Sequence, residues 1–160
     1  MTDLPGGDLP DYTVGIIGAG QVGTTILTKL LEVKDQFHNL KLMVSSRQPH
    51  LLRPFKQEFG VEVMFDNAKI AAECDIIFVC VLPSQAQEVF KDIRDVIKER
   101  SELAAKDRSK INPVIVTTCA AISYQKLRLM LKNALLLKPS INVPLIKEYL
   151  FRAQAIVKVR

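Results

Sequence analysis

The chain has 160 residues, of which 48% are hydrophobic and 24% charged, a balance typical of one globular domain with its own core. No apolar run reaches the roughly 18 residues that a membrane span requires, so we expect no membrane partner. The net charge is +5, but the 22 Lys and Arg residues are spread along the chain among acidic ones, which argues against a nucleic-acid interface. The positive excess is compatible with an anionic ligand.

The three cysteines, Cys74, Cys80 and Cys119, are odd in number and lack C-x-x-C spacing. This pattern argues against a disulfide framework and against a metal site. Cys80 stands inside an apolar run and is predicted to be a small buried hydrophobe. A thiol enzyme built on Cys119 is disfavoured because the only histidines, His38 and His50, lie in segments expected far from it. We predict a reduced, intracellular and cytoplasmic protein that holds no metal.

The segment VGIIGAGQVG, residues 14–23, places a glycine-rich turn after an apolar stretch. Residues 13–17 are β-branched and apolar, which predicts a buried strand. Residues 21–33 carry apolar side chains at helical spacing, and LKLMVSS then reads as a second strand. The turn is therefore expected between a strand and a helix, within a βαβ unit over residues 13–45.

Strands and helices continue to alternate along the chain. Further strands are predicted in VEVMF, CDIIFVCVLP, PVIVTTCAA and ALLLKP, with helices over residues 50–59, over NAKIAAE, after Pro83 and over residues 123–132. This rhythm predicts an α/β fold with a doubly wound, mostly parallel sheet in three layers, in the strand order 3-2-1-4-5-6. Ligands of such a sheet bind beyond the carboxyl ends of its strands, which here are residues 18–20, 45–47, 81–83 and 118–121.

Several packing details follow from the same periodicities. Leu51, Leu52, Phe55 and Phe59 are expected to face inward, and Ser84 is expected to cap the next helix. The buried stripe of that helix is predicted to be Ala86, Val89, Phe90, Ile93 and Ile97. Residues 100–112 are polar and are predicted to form a surface linker.

The three glycines of the turn have separate predicted roles. Gly18 permits the tight turn, Gly20 lets a pyrophosphate approach the backbone, and Gly23 lets the helix pack close to the strand. The N–H groups near Gln21 and Val22 would face the phosphates, aided by the helix dipole. The alternative is a strand–helix corner that holds no ligand.

The end of the second strand reads Ser45-Ser46-Arg47, with no carboxylate to bind the ribose 2′-hydroxyl of NAD. A guanidinium binds phosphate with forked, charge-assisted hydrogen bonds, whereas Asp or Glu would repel it. The sequence therefore favours NADP over NAD as the cofactor. The alternative is an ordinary polar loop.

These segments, with GVEVMFDNAKIAAECDIIFVCVLP, VIVTTCAA and INVP, resemble the cofactor domain of the pyrroline-5-carboxylate reductase family. The sequence is also similar to the animal proteins called NADP-dependent oxidoreductase domain-containing proteins, which resemble the same family. The resemblance implies an NADP-binding Rossmann domain over residues 13–147. Residues 1–12 are acidic and rich in Gly and Pro and are predicted to be a flexible lead-in, and residues 148–160 are predicted to be a tail or domain stub.

The resemblance also implies a cofactor site, although it assigns no catalytic residue. The implied contacts are Gly18, Ala19, Gly20, Gln21 and Val22 at the pyrophosphate, then Ser45, Ser46 and Arg47 at the 2′-phosphate, then Asn67 near the adenosine, and finally Val81, Leu82, Pro83, Cys119, Ala120, Ala121, Asn142 and Pro144 along the nicotinamide side.

Two positions depart from the family pattern: Leu82 replaces a usual Lys, and Ile122 replaces a usual Gly. The family's reductases also carry a helical C-terminal domain that dimerises and supplies the substrate pocket, whereas this sequence ends at Arg160. One hypothesis is an NADP-dependent oxidoreductase domain that passes hydride to a C=N or C=O carbon of a small molecule and forms a homo-oligomer. The other is a non-catalytic dinucleotide-binding module or a truncated isoform.

Overall fold

A computed structural model of the protein describes residues 11–37, 39–119, 122–132 and 134–139. These ranges exclude most of the predicted lead-in and all of the predicted tail. They also exclude His38, Ala120, Ala121, Asn142 and Pro144. The elements in chain order are β1 (Tyr12–Ile17), α1 (Gln21–Glu32), β2 (Leu40–Ser45), α2 (Arg53–Phe59), β3 (Glu62–Met64), α3 (Asn67–Glu73), β4 (Ile76–Val79), α4 (Pro83–Lys106), β5 (Val114–Thr117), α5 (Tyr124–Met130) and β6 (Leu135–Leu137).

The six strands form one parallel sheet in the order β3-β2-β1-β4-β5-β6, which confirms the predicted doubly wound topology. Val14 of β1 lies opposite Leu42 of β2 on one side and Ile76 of β4 on the other. The chain leaves β1 in one direction and β4 in the other, so a crevice opens beyond the carboxyl ends of these two strands. Sheets of this topology bind ligands in that crevice, which here lies beside the turn that follows β1.

Each face of the sheet is covered by helices and has its own apolar core, as the alternation along the strands requires. Val14 and Ile16 pack on one face with Leu27 of α1. Ile17 packs on the other face with Phe90 of α4 and with the rest of the larger core. The three layers confirm the predicted fold class.

The predicted buried stripe of α4 is confirmed, since Ala86, Val89, Phe90, Ile93 and Ile97 are all buried. The linker predicted over residues 100–112 is wrong, because α4 continues to Lys106. Ser101 is buried in this last part of the helix and donates to Asn112 Oδ1 at 3.0 Å. The polar residues there form the solvent face of a long helix, a pattern that composition alone does not separate from a loop.

The predicted cap at Ser84 is also wrong. The helix begins at Pro83, with Leu82, two residues before Ser84, in the cap position and Gln85 Oε1 accepting from the Leu82 N–H at 3.4 Å. Proline suits the first helical position because it has no N–H to leave unpaired.

Two of the four apolar side chains expected to face inward from residues 50–59 do not. Leu51 is 62% exposed and Phe59 is 46% exposed, whereas Leu52 is buried and Phe55 half-buried. Residues 49–52 form a 3₁₀ turn ahead of α2, so one continuous α-helical period does not run through the segment.

Candidate functional site

A cleft of about 1190 Å³ lies beyond the carboxyl ends of the strands. Its volume exceeds the roughly 300–1000 Å³ of common small-molecule pockets. Every predicted site residue within the described ranges lines this cleft, namely Gly18, Ala19, Gly20, Gln21, Val22, Ser45, Ser46, Arg47, Asn67, Val81, Leu82, Pro83 and Cys119. Ala120, Ala121 and Asn142 lie outside the described residues.

Gly18 forms the sharp part of the turn after β1. Its φ is +93°, a region that side chains rarely adopt, and an added Cβ would stand 2.6 Å from the Cys80 carbonyl oxygen. Its N–H donates to the Ser45 carbonyl at 3.0 Å, which ties the turn to the end of β2. The turn therefore has both a steric and a hydrogen-bonding reason to hold its shape.

Gly20 and Gly23 differ in what surrounds them. A Cβ added at Gly20 meets nothing within 4 Å, whereas one added at Gly23 would collide with the Gly18 carbonyl oxygen. Gly20 is also the N-cap of the twelve-residue α1, provides no side-chain cap, and is followed by no acidic residue in the first turn. The positive end of the helix dipole thus faces the open space above Gly20.

The end of β2 is ordered by its own hydrogen bonds. Ser45 is buried and donates from Oγ to Asn67 Oδ1 at 2.6 Å. Ser46 donates its N–H to the Met64 carbonyl at 3.0 Å, and its Oγ accepts from the Gln48 N–H at 3.0 Å. These contacts hold the loop that carries the exposed Arg47 side chain over the cleft.

Two carboxylates of α4 reach the same end of the cleft. Glu88 Oε2 lies 3.3 Å from Arg47 Nη2, and Asp92 Oδ2 accepts from Asn67 Nδ2 at 3.4 Å. Both carboxylates line the cleft. The guanidinium predicted to bind phosphate therefore has an acidic partner within the protein itself.

Leu82 and Cys119 line the part of the cleft that lies beyond β4 and β5. Leu82 is 64% exposed there, whereas Cys119 is buried and donates its N–H to Thr117 Oγ1 at 3.2 Å. Burial raises the pKa of the Cys80 thiol to about 11 and that of Cys74 to about 12, so neither is a thiolate at neutral pH. All three cysteines are free and buried.

Residues 13–103, more than half of the chain, match the family described as "NADP oxidoreductase coenzyme F420-dependent". The chain belongs to this family. Membership in the NADP oxidoreductase family confirms the prediction of an NADP-type oxidoreductase domain.

Two individual relatives of this chain are also named as a reductase and as an NADP-dependent oxidoreductase domain-containing protein. The chain is 27% identical over 69% of its length to a pyrroline-5-carboxylate reductase of Corynebacterium melassecola. It is 28% identical over 79% of its length to the NADP-dependent oxidoreductase domain-containing protein 1 of Mus musculus. The matched parts make up 37% and 31% of those proteins, so the chain spans about a third of the length of these relatives.

A solved pyrroline-5-carboxylate reductase from Coxiella burnetii superposes on the fold of this NADP oxidoreductase family member. The TM-score is 0.64 and the identity 18%, over 81% of this chain and 43% of the reductase. At that identity the likeness establishes the Rossmann fold.

Sequence reasoning missed several residues that line the cleft of this family member. Phe65 lies directly after β3, so the rule that located Arg47 after β2 would have found it. Glu88 and Asp92 are four residues apart in the helix predicted after Pro83, which places them on one helix face. Their position near the start of that helix, beside the carboxyl edge of the sheet, was a usable signal.

In the described part of this family member, no group of three His, Cys, Asp or Glu side chains is arranged to hold a metal ion. None of the helices found there is long and apolar enough to cross a membrane.

Proposed function

We propose that this chain binds NADP(H) in the cleft and positions it for hydride transfer to a C=N or C=O carbon of a small-molecule substrate. The observation that carries the proposal is the open space above Gly20, at the uncapped start of α1. A pyrophosphate in that space would accept hydrogen bonds from first-turn N–H groups and would interact favourably with the helix dipole.

Arg47 supports NADP rather than NAD as the ligand. Its guanidinium stands at the cleft after β2, where an NAD-binding domain typically has a carboxylate for the ribose hydroxyls. The hydrogen bonds of Ser46 hold the Arg47 backbone in place, so a 2′-phosphate at this end would meet a partly ordered donor. Ser45 is turned toward Asn67, and its proposed role is to position that side chain.

The reaction class rests on the relatives rather than on a described catalytic group. The C. melassecola relative is named a pyrroline-5-carboxylate reductase, and a pyrroline holds a C=N bond. The reduced cofactor supplies hydride to the carbon, and the nitrogen or oxygen takes up a proton. The chain's own contribution would be to bind and orient the cofactor, with Leu82 and Cys119 bordering its reactive end.

The proposal also includes assembly into a homo-oligomer, which light scattering tests, and a cytoplasmic location, which cell fractionation tests.

A second candidate function is cofactor binding without turnover by these 160 residues. The observation that favours it is coverage, since the matched parts are 37% and 31% of the two relatives. Following NADPH absorbance with pyrroline-5-carboxylate present separates the two candidates. Turnover above a no-protein blank would support the reductase, whereas binding with only background oxidation would support the module.

The cofactor proposal is tested by calorimetric titration of NADPH and NADH into the wild type, Arg47→Ala and Arg94→Ala. We expect tighter binding of NADPH. Arg47→Ala should weaken NADPH by about 1.5–3 kcal/mol, roughly 10- to 150-fold, the range for hydrogen bonds to charged groups, and should leave NADH nearly unchanged. Arg94 is an exposed arginine of α4 outside the cleft, so its variant controls for the lost charge. Equal wild-type affinity for the two cofactors would contradict the proposal.

A further inference from the structure

The contact between Glu88 and Arg47 joins two parts of the chain that lie 41 residues apart. Glu88 Oε2 is 3.3 Å from Arg47 Nη2, and the two side chains are 71% and 63% exposed. Both side chains line the cleft, so the pair stands in the space that a ligand would enter. The pair can therefore affect ligand binding, whereas an ion pair on a surface far from the cleft would not.

A phosphate that approaches Arg47 cannot ignore Glu88. A phosphate monoester carries about −1.5 to −2 charges at neutral pH. If the phosphate displaces the Glu88 carboxylate from the guanidinium, the ion pair is lost. If it lies beside the carboxylate instead, the two negative charges repel each other. A ribose hydroxyl is neutral and meets neither penalty.

Asp92 makes the acidic character of this end stronger. It lies one helical turn after Glu88 and accepts from Asn67, which in turn accepts from the buried Ser45. The amide partner directs Asp92 toward α3, so Glu88 is the carboxylate that contacts Arg47. The helix thus adds a selective element that the end of β2 does not contain.

We infer that Glu88 is a specificity-determining residue that competes with the cofactor's 2′-phosphate for Arg47 and narrows the preference for NADPH over NADH. This inference rests on the proposed cofactor function. Because both side chains are exposed, the effect is modest: exposed ion pairs of this kind correspond to about two- to five-fold in an equilibrium constant. Salt screens such pairs, so the effect should shrink as ionic strength rises.

The test compares Glu88→Gln with Glu99→Gln, which removes the same charge from an exposed position of α4 outside the cleft. Ligands are NADPH, NADH, adenosine 2′,5′-bisphosphate and 5′-AMP, and dissociation constants are measured at low and high salt. Glu88→Gln should tighten NADPH and the bisphosphate about two- to five-fold while changing NADH and 5′-AMP by less than about 1.5-fold. Glu99→Gln should change the four dissociation constants only slightly and to the same extent.

A double variant places the effect on Arg47. In an Arg47→Ala background, Glu88→Gln should no longer tighten the bisphosphate. Unchanged or weaker bisphosphate binding by Glu88→Gln, or an equal gain for 5′-AMP, would overturn the inference while leaving the wild-type preference for NADPH intact. A wild type that binds neither NADPH nor the bisphosphate would instead overturn the proposed function, and this inference with it.

Discussion

Polar residues have different surroundings at the two ends of the strands. We call the side of the sheet where the strands begin its amino edge and the side where they end its carboxyl edge. At the amino edge, charged side chains from strands and helices are paired with one another. At the carboxyl edge, a glycine turn, an uncapped helix start and the exposed Arg47 surround an open cleft. The same strands therefore end in a structural network on one side and in a candidate binding site on the other.

Two clusters of charged side chains lie at the amino edge of the described strands. Glu62 at the start of β3 pairs with Lys69 at 2.8 Å and with Lys41 at 3.3 Å. Asp75, just before β4, accepts from the Thr13 N–H at 3.1 Å and lies 3.7 Å from Arg100 of α4. The second cluster is half-buried and joins β1, β4 and α4.

Substitutions at the two edges should therefore change different properties of the protein. Changes at the amino edge remove pairs that hold elements together, so they should change stability. Changes at the carboxyl edge alter a surface that the fold leaves open, so they should change ligand binding while the domain stays folded. A folded amino-edge variant that loses ligand binding, or a carboxyl-edge variant that unfolds the domain, would contradict this division.

The largest effect is expected at Gly20. Gly20→Val should weaken both NADPH and NADH by more than about 100-fold, because a branched side chain fills the space proposed for the pyrophosphate. The domain should remain folded, since an added Cβ there meets no protein atom within 4 Å and the backbone φ is −76°. Calorimetry measures affinity, and thermal unfolding checks the fold.

Ala105→Val is the matched control for Gly20→Val. It adds the same branching at an exposed position near the end of α4, outside the cleft. Normal cofactor binding by Gly20→Val would show that the turn is only a corner between strand and helix.

Arg100→Met tests the amino edge. Arg100 Nη1 donates to the Ala71 carbonyl at 2.8 Å and also to the Cys74 carbonyl, so the substitution leaves these acceptors without their donor. We expect a loss of about 1–3 kcal/mol in the free energy of unfolding, measured in urea. NADPH affinity, measured well below the unfolding midpoint, should stay within about two-fold of wild type, because Arg100 lies three turns of α4 beyond Glu88. A large loss of affinity in the folded variant would contradict the division between the edges.

The sequence alone predicts the parts of the fold that backbone rules control. The G-x-G-x-x-G spacing predicts the tight turn at Gly18 and the close packing at Gly23. The alternation of strands and helices predicts the strand order. The contact of Arg47 with Glu88 could not be predicted in the same way, because it depends on the rotation of α4 over the cleft. The end of α4 was missed because its solvent face is as polar as a loop.

The smallest effect is expected at Glu62, in the exposed cluster of the amino edge. The hydrogen bond from Lys69, with the Lys41 contacts, lowers the pKa of the Glu62 carboxyl below 4.5, although desolvation opposes this. A carboxyl whose folded pKa is lowered contributes stability above its unfolded pKa and loses it as pH falls through the folded value. Glu62→Gln should therefore lower Tm by less than about 3 °C at pH 7, and the difference should vanish on acidification below the folded pKa and diminish in salt. Glu58→Gln, at an exposed glutamate of α2, is the control. A difference between wild type and Glu62→Gln that persisted through acidification would show that Glu62 stabilises the edge by packing rather than by charge.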